Sequence, residues 1–279
     1  MKLLIIDGHN LLFQMFFGMP PRIFGKDGRA IHGTLGFTGG LIKMIRMVEP
    51  THLAALFDSE GHNPRTELYA GYKANRIDYT HVPETDNPFS QLQDIYAAMD
   101  YMGVFHTEID SEETDDAAAA YAYKYGGEME VIIASFDSDF FQLINGNVSI
   151  LRYRGDKSYF CDEAYIKEKF GISPGQYADF KALAGDPSDN IKGAERVGPK
   201  TAAALLRRFG SLEGVIKGQG EIEKPAIRES INQSAERLKT NYELIKLDNQ
   251  ADIPYPIEAL EYTYNGITTN AVLEKTGLK

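Results

Sequence analysis

The chain has 279 residues, which is enough for one large α/β domain or for such a domain with a small helical module. No apolar run approaches the roughly 20 residues that cross a bilayer, so we expect no membrane segment. The single cysteine, Cys161, excludes an internal disulfide and suits a cytoplasmic protein; no base stands near it to make it a catalytic thiol. The net charge of −11 argues against a simple nucleic-acid binder, which usually carries a basic face.

Three apolar runs in the first half of the chain each lead into an aspartate. Continuous apolar runs of this length predict strands that are buried on both faces, as in a parallel sheet. Because open parallel sheets bind ligands at the carboxyl ends of their strands, we expect the three acids at one functional edge. The runs are residues 2–6 before Asp7, residues 52–57 before Asp58 and residues 131–136 before Asp137.

Helical stretches alternate with these runs, which predicts an α/β fold with a mostly parallel central sheet flanked by helices. A hairpin is expected over 148–160, and the pattern from Asp162 onward is helical with Gly and Pro punctuation. We therefore predict an α/β core over 1–161, a helical module over 162–247, and a loop-rich segment over 248–279 that packs back on the core. The predicted helices lie near 36–48, 87–102, 113–125, 162–170, 174–184, 199–209 and 229–246.

Three clusters of acids stand out. Three acids in four residues stand at the start of the predicted helix 113–125, where the helix dipole favours negative charge. Each cluster alone has an ordinary interpretation as a helix start, a cap or a turn. Their joint occurrence predicts oxygen ligands for hard ions such as Mg²⁺ or Mn²⁺, and the scattered histidines disfavour zinc. The clusters are Glu113 with Asp115 and Asp116, Asp137 with Asp139, and Asp186 with Asp189.

Nine carboxylates in one place would repel one another and raise each other's pKa values unless cations lay among them. Two divalent ions about 4 Å apart can hold a scissile phosphate, generate hydroxide and stabilise the leaving oxygen. That chemistry is phosphodiester hydrolysis without a covalent intermediate. Assigning nine acids to such a site leaves a charge of −2 on the rest of the chain, which answers the objection from net charge.

Two further segments have unusual compositions. Segment 62–90 interleaves basic and aromatic residues in a chain that is otherwise acidic. A glycine-containing turn over 193–201 precedes a predicted helix whose first amides, with Lys200 and Thr201, could meet a phosphate. This turn suits a sequence-independent grip on a DNA backbone, and an ordinary packing turn between two helices is an equal alternative.

In this order, the residues resemble the 5′-nuclease family: the 5′–3′ exonuclease domain of bacterial DNA polymerase I, phage 5′ exonucleases and flap endonucleases. The resemblance runs from residue 1 to about 247 and is closest to the bacterial branch, as a stand-alone version. It implies a PIN-like nuclease core with a helical arch over 62–90 and a C-terminal helix–hairpin–helix-type DNA-binding module. The segments that carry it are residues 4–8, 57–58, 113–116, 137–139, 185–191, 197–201 and 209–212, with Arg65, Tyr72, Lys73 and Arg76.

The resemblance also implies roles for individual residues. The arch would pass a 5′ single strand, Lys73 and Arg76 would meet the scissile phosphate, and Tyr72 could stack on a terminal base. The turn over 191–201 would grip duplex DNA, and such turns in the family often hold K⁺. The implied first metal site is Asp7, Asp58, Glu113, Asp115 and Asp116, and the second is Asp137, Asp139, Asp186 and Asp189. The residues expected to be catalytic are Asp7, Lys73, Arg76, Asp115 and Asp137, and those expected to contact DNA are Arg65, Tyr72, Lys73, Arg76, Lys192, Gly198, Lys200 and Thr201.

Three positions depart from the family's usual pattern, although none removes an implied metal ligand. The family usually has Arg where this chain has Gln14, which removes one phosphate-binding charge. It usually has Gly where this chain has Phe136, whose bulk could shift Asp137. It usually has an aromatic residue where this chain has Pro64.

The leading hypothesis is a monomeric 5′–3′ exonuclease and 5′-flap endonuclease that acts in replication and repair with two Mg²⁺ or Mn²⁺ ions. Its expected substrates are 5′ flaps, branched and nicked duplexes, and RNA primers on DNA. One alternative is a branched-DNA-binding protein with weak or lost catalysis, in which Gln14 and Phe136 mark the decay. Another is an RNA nuclease of a related small carboxylate fold, for which the arch and the helical module are more than is needed.

Overall fold

The computed structural model describes residues 1–19, 23–59, 65–110 and 113–279. It contains a six-stranded sheet in the order β3-β2-β1-β4-β5-β6, in which only the β5–β6 pairing is antiparallel. The predicted mostly parallel sheet is therefore confirmed. The strands are β1 (Lys2–Asp7), β2 (His52–Asp58), β3 (Phe105–Ile109), β4 (Glu130–Ala134), β5 (Val148–Arg152) and β6 (Tyr159–Cys161).

The central strand β1 explains why the sheet is buried on both faces. Leu3 and Ile5 point into one apolar cluster and Leu4 and Ile6 into another, because successive side chains of a strand alternate between faces. Ile6 pairs with Ala55 of β2 and with Ala134 of β4, so the three strands end at the same level. The acids that follow them consequently share one edge.

Strand β3 was not predicted from the sequence. It is an edge strand whose residues are mostly half-buried, so its sequence, FHTEI, lacks the continuous apolar run of the central strands. Ala54 and Asp58 of β2 pair with its two ends. This strand therefore forms because its backbone pairs with β2, and its own sequence has too few apolar residues to predict it.

Helices cover both faces of the sheet. The first, second and fourth helices pack on the face with Leu4 and Ile6, and the fifth packs on the face with Leu3 and Ile5. The helices of this part are α1 (Gly8–Gly18), α2 (His32–Val48), α3 (Arg65–Leu68), α4 (Leu92–Met102) and α5 (Thr114–Tyr125).

The segment over 62–90 differs from the expected helical arch. Its described part, residues 65–90, holds the four-residue α3, a run of turns and short 3-10 turns. Gly71, Pro83 and Pro88 interrupt any longer helix, since glycine is flexible and proline cannot donate within a helix interior. Residues 62–64, including Pro64, lie outside the described residues.

A helical module follows β6 and shares an apolar cluster with the sheet face that α5 covers. Asp162 begins its first helix by accepting a hydrogen bond from the Tyr165 amide at 2.8 Å. Within the module, the Asn241 side chain donates to the backbone oxygens of Ala182 and Lys192, which joins the long last helix to the loop beside the acids. The helices are α6 (Glu163–Phe170), α7 (Tyr177–Ala184), α8 (Pro199–Phe209), α9 (Leu212–Lys217) and α10 (Pro225–Ile245).

The last residues return to the α/β part. The Tyr262 amide donates to the Thr51 oxygen at 2.9 Å, beside the start of β2. A final helix, α11 (Thr269–Lys275), lies against α2, with Val272 buried in the same cluster as Leu4. None of the helices in the described part of the chain is long and apolar enough to cross a membrane.

Candidate functional site

The acids after β1 and β2 are held by the helices that start beside them. Asp7 caps α1 by accepting from the Asn10 amide at 3.0 Å, and Asp58 accepts from the Thr114 amide at the start of α5 at 3.0 Å. Gly8 allows α1 to begin here, since a Cβ at this position would lie 2.4 Å from the Phe57 ring. Both carboxylates are thus fixed at the carboxyl edge of the sheet by backbone amides.

Ser135 links the acids of β1 and β4, and sequence reasoning missed it. Its hydroxyl donates to Asp7 Oδ2 at 2.6 Å and accepts from the Asp137 amide at 2.8 Å. Asp137 in turn accepts from the Asp139 amide at 2.8 Å. The link joins residues 128 positions apart, so no local sequence signal marks it.

The carboxylates of this first group act on each other electrostatically. Burial, followed by the charges of Asp137 and Asp7, raises the pKa of Asp115 well above its usual value. Burial also raises the pKa of Asp7 to about 6, although hydrogen bonds from Ser135 and Asn10 oppose it. At Asp58 burial acts in the same direction, but His9 and the Thr114 amide lower its pKa overall. The group is thus short of positive charge at neutral pH.

A second group of carboxylates lies where β4 meets the loop after α7. Oxygens of Asp139, Asp186 and Asp189 all lie within 4.8 Å of one another, and all three residues are buried. Burial raises the pKa of Asp139 to about 7 despite a neighbouring lysine. Three buried carboxylates at this spacing form a pocket of oxygen ligands suited to one hard cation.

Lys181 of α7 is the neighbouring cation, and the sequence analysis missed it. Its ammonium group contacts the carboxylates of both Asp139 and Asp186, and only 7% of the residue is exposed. The charges of these acids raise the pKa of Lys181 although burial lowers it. The available signal was a lysine within the otherwise apolar run 180–184, which an exposed helical lysine would also give.

Three of the nine acids, Glu113, Asp116 and Asp189, are paired with cations of segment 65–76. Arg65 donates to both oxygens of Asp116, at 2.6 and 2.8 Å, and to Glu113 at 2.9 Å. Lys73 donates to the other oxygen of Glu113 at 2.6 Å. The Arg65 side chain is 11% exposed, so its guanidinium faces acids rather than solvent. Its expected contact with DNA remains a prediction.

The segment around Tyr72 is hydrogen-bonded to the loop that carries Asp186 and Asp189. The Lys73 amide donates to the backbone oxygen of Asp189 at 3.1 Å. The Asn190 side chain donates to the backbone oxygen of Gly71 at 2.8 Å. Lys73 has a φ of 55°, a left-handed conformation that strains a side-chain-bearing residue and occurs often at functional sites. Arg76 donates to Asp189 at 3.2 Å. Both expected phosphate-binding cations therefore lie against the acids.

Tyr72 differs from an exposed stacking residue. It is 5% exposed, and its hydroxyl faces Glu113 at 3.4 Å. Stacking on a base would require this side chain to leave its place, so the expected role of Tyr72 remains a prediction.

The turn before α8 follows directly on the loop of the second acid group and reaches the surface. Lys192, Gly198 and Lys200 are exposed and Thr201 is half-buried. Gly198 caps α8, with Pro199 as the first helical residue, and the Thr201 amide donates to the Gly198 oxygen. Lys200 is thus an exposed cation at a helix start, and its contact with a DNA phosphate remains a prediction.

The donor set fits divalent metal ions. All nine predicted ligands are carboxylates, and several that are buried or half-buried have raised pKa values, which a bound dication would reverse. The charges of Asp58 and Asp137 act on Asp7, and those of Asp7 and Asp137 act on Asp115, whereas the oxygens of Asp139, Asp186 and Asp189 lie together. Glu113 and Asp116 are paired with Arg65 and Lys73, and their assignment to the first metal site remains a prediction.

Comparison with known sequences decides the family. The family model described as "5'-3' exonuclease, N-terminal resolvase-like domain" matches residues 2–171, and that described as "5'-3' exonuclease, C-terminal SAM fold" matches residues 172–267. The chain belongs to the 5′–3′ exonuclease family. The 5′–3′ exonuclease of Aquifex aeolicus is 33% identical over 261 residues, which are 93% of this chain and 86% of that protein.

Some relatives of the chain are much longer. Thermostable DNA polymerase I of Thermus aquaticus is 33% identical over 258 residues, which are 92% of this chain but 29% of the polymerase. The chain thus spans about 30% of the length of the polymerase relatives it matches.

Solved structures confirm the nuclease fold. Bacteriophage T5 5′-exonuclease with bound zinc superposes with a TM-score of 0.73 at 23% identity, over 99% of this chain and 97% of that one. The catalytic core of Rad2 in complex with DNA substrate superposes with a TM-score of 0.59 at 13% identity, over 99% and 84% of the two chains.

Proposed function

We propose that the chain is a divalent-metal-dependent 5′ nuclease that hydrolyses DNA phosphodiesters, both as a 5′–3′ exonuclease and as a 5′-flap endonuclease. The observation that carries this proposal is the convergence of carboxylates from β1, β2, β4, α5 and the loop after α7 at one edge of the sheet. Membership of the 5′–3′ exonuclease family supports the reaction class.

Two groups of carboxylates would hold the metal ions. Asp7, Asp58 and Asp115 would serve the first ion, and Asp139, Asp186 and Asp189 the second, with Asp137 between them. Such ions supply a hydroxide at neutral pH and stabilise charge on the scissile phosphate when bound. Mg²⁺ or Mn²⁺ suits the all-oxygen donor set, in which no described histidine or cysteine takes part.

With metal ions bound, Lys73 and Arg76 would be able to bind the phosphate of the substrate. Lys73 and Arg76 are held against Glu113 and Asp189, at 2.6 and 3.2 Å. Dications among the carboxylates would weaken this hold on the two side chains, which would leave them free to bind a phosphate beside the acids. Lys181 is enclosed more deeply and would remain to balance Asp139 and Asp186.

The proposed substrates are 5′ flaps, branched and nicked duplexes, and RNA primers on DNA. One structural neighbour is a flap endonuclease in a complex with DNA and metal ions, and another is the Rad2 core with DNA substrate. The exposed Lys192, Gly198 and Lys200, with the half-buried Thr201, support a contact of this turn with duplex DNA, and a K⁺ ion held at 191–201 would stiffen it. We further propose that the protein acts as a monomer in the cytoplasm, in replication and repair.

Conservative acid variants test the proposed function. Asp115→Asn and Asp137→Asn keep shape and remove charge, so we expect cutting of a flap substrate to be abolished while DNA binding is retained. Asp252→Asn removes an equivalent charge from an exposed residue and should leave cutting unchanged. Loss of DNA binding in both site variants with a normal fold would contradict the metal assignment. Tight flap binding without any cutting by the unaltered protein would favour the branched-DNA-binding alternative.

A further inference from the structure

Two arginines, one at the end of β5 and one two residues beyond it, lie against the ring of Phe136. Because β5 is parallel to β4, with Leu151 opposite Ala134, both arginines leave the sheet at the edge where Asp137 lies. Residues two apart in an extended strand point to the same side, so Arg152 and Arg154 can both reach one ring. Their Cζ atoms lie 5.4 and 5.0 Å from the centre of the Phe136 ring.

The two arginines differ in what surrounds them. Arg152 is 5% exposed, lies 4.5 Å from the Phe141 ring centre and donates to the Ser135 oxygen at 2.9 Å. Arg154 is exposed, and its guanidinium makes no ion pair or hydrogen bond with any described residue. Arg152 is therefore part of the packing, whereas the donors of Arg154 are available to a ligand.

The backbone that carries Arg154 is fixed on both sides. The Gln14 side chain donates to the oxygen of Tyr153 at 2.6 Å, which ties the preceding residue to α1. The Arg154 amide donates to Ser158 Oγ at 2.8 Å, and Gly155 adopts a φ of 58° that suits glycine in this turn. Because the Arg154 side chain already packs against the Phe136 ring and its backbone is held by hydrogen bonds, it loses less conformational entropy when it binds a ligand.

We propose that Arg154 and Phe136 form a phosphate-binding subsite for the strand that enters the acid cluster. The subsite rests on the proposed function, since it needs a nucleic-acid substrate at this edge. A planar guanidinium presents paired donors to two phosphate oxygens, and the Phe136 ring holds its plane from one side. The ligand is either a backbone phosphodiester or a terminal 5′-phosphate, which share this chemistry.

Salt dependence of binding tests the subsite with a matched control. Each phosphate contact contributes about 0.9 for duplex DNA, or about 0.7 for a single strand, to the slope of log affinity against log salt. We expect Arg154→Ala to weaken binding of a flap substrate in EDTA and to lower the steepness of this salt dependence by the contribution of one phosphate contact. Arg154→Lys keeps the positive charge and should retain most of that contribution. Arg46→Ala removes an exposed arginine from the last turn of α2, toward the opposite edge of the sheet, and should leave the slope unchanged.

The two sources of phosphate are separated by the 5′ end of the substrate. If the subsite takes a terminal phosphate, wild-type protein prefers the phosphorylated flap and Arg154→Ala loses that preference. If it takes a phosphodiester, the variant loses the same affinity for 5′-phosphate and 5′-hydroxyl flaps. An unchanged slope in Arg154→Ala, or an equal fall in Arg46→Ala, would overturn the subsite alone. No flap binding by wild-type protein would overturn the proposed function with it.

Discussion

Lys181 and Asp139 form an ion pair inside the fold, with only 9% and 8% of their side chains exposed. Asp186 shares the same ammonium group, so one buried cation balances two buried carboxylates. Removing one member of a buried pair leaves an uncompensated charge in a poorly solvated place. The stability of the folded protein should therefore depend on whether the Lys181 ammonium group or a metal ion balances Asp139 and Asp186.

Lys181→Met should therefore destabilise the metal-free protein by about 3–5 kcal/mol, as breaking a buried ion pair does. Added Mg²⁺ should recover part of the loss, because a dication can balance Asp139 and Asp186 in place of the ammonium. Urea unfolding in EDTA and in Mg²⁺ measures both effects. Lys217→Met is the control: both side chains of its pair with Glu213 are 74% exposed, so its loss should change the stability very little. Equal losses in the two variants would contradict the account of Lys181.

Ser135→Ala should separate the acids of β1 from those of β4. The change leaves the Asp137 amide without its acceptor and Asp7 without its 2.6 Å donor, at a cost of about 1–3 kcal/mol. We expect weaker metal binding, measured by calorimetry with Mn²⁺, and a slower cutting rate. Ser135→Thr retains the hydroxyl and should restore both. A metal affinity unchanged by Ser135→Ala would show that this link does not position the carboxylates.

The stability of the metal-free protein should fall as pH rises from 4 to 7. A carboxyl whose pKa is raised on folding binds its proton more tightly in the folded state, so its contribution is present at low pH and is lost above the folded pKa. For Asp7 that pKa is about 6 and for Asp139 about 7, against an ordinary value of 3.8. Asp58 and Asp186, with lowered pKa values, act below pH 4 and do not oppose this trend.

The metal should reverse that trend. Because the ions bind deprotonated carboxylates, the gain in melting temperature on adding Mg²⁺ should grow between pH 5 and pH 8. Thermal unfolding with Mg²⁺ and with EDTA across this range measures the gain. A gain that is constant with pH would mean that the buried carboxylates do not take up the ion.

Lys73→Ala should lower the cutting rate more than it lowers DNA affinity. Lys73 lies against Glu113 and would stabilise charge that develops on the phosphate, a contribution that is typically about 100- to 1000-fold in rate. Single-turnover cutting and fluorescence anisotropy measure the two quantities separately. Lys239→Ala, which removes an exposed helical cation, is the matched control. An unchanged single-turnover rate would remove Lys73 from the mechanism.

Much of the site was predictable because the sheet's topology determines it. Asp7, Asp58 and Asp137 each follow a buried apolar run, and parallel strands bring such positions to one edge whatever the details of packing. The remaining acids stood out as clusters in the sequence, and the family resemblance then implied metal-binding roles for them, which remain predictions. The predicted family is confirmed by the comparisons, and the predicted α/β fold by the sheet itself.

What the sequence did not reveal depends on contacts between distant segments. Lys181 and Ser135 belong to common residue types, and their partners are identified only when β4, α7 and β1 are placed together. The burial of Tyr72 and the pairing of Arg65 with Asp116 likewise depend on how segment 65–76 packs on α5 and the loop after α7. The local sequence does not predict such packing. For the same reason, the sequence did not predict that residues 65–90 contain only one four-residue α-helix and short 3-10 turns.

The most direct test of the central claim is cutting of a 5′-labelled flap substrate with Mg²⁺ and with EDTA. The carboxylate site predicts short labelled products that end near the junction, present with Mg²⁺ and absent with EDTA. Products that persist in EDTA, or no products in either Mg²⁺ or Mn²⁺, would contradict a metal-dependent 5′ nuclease.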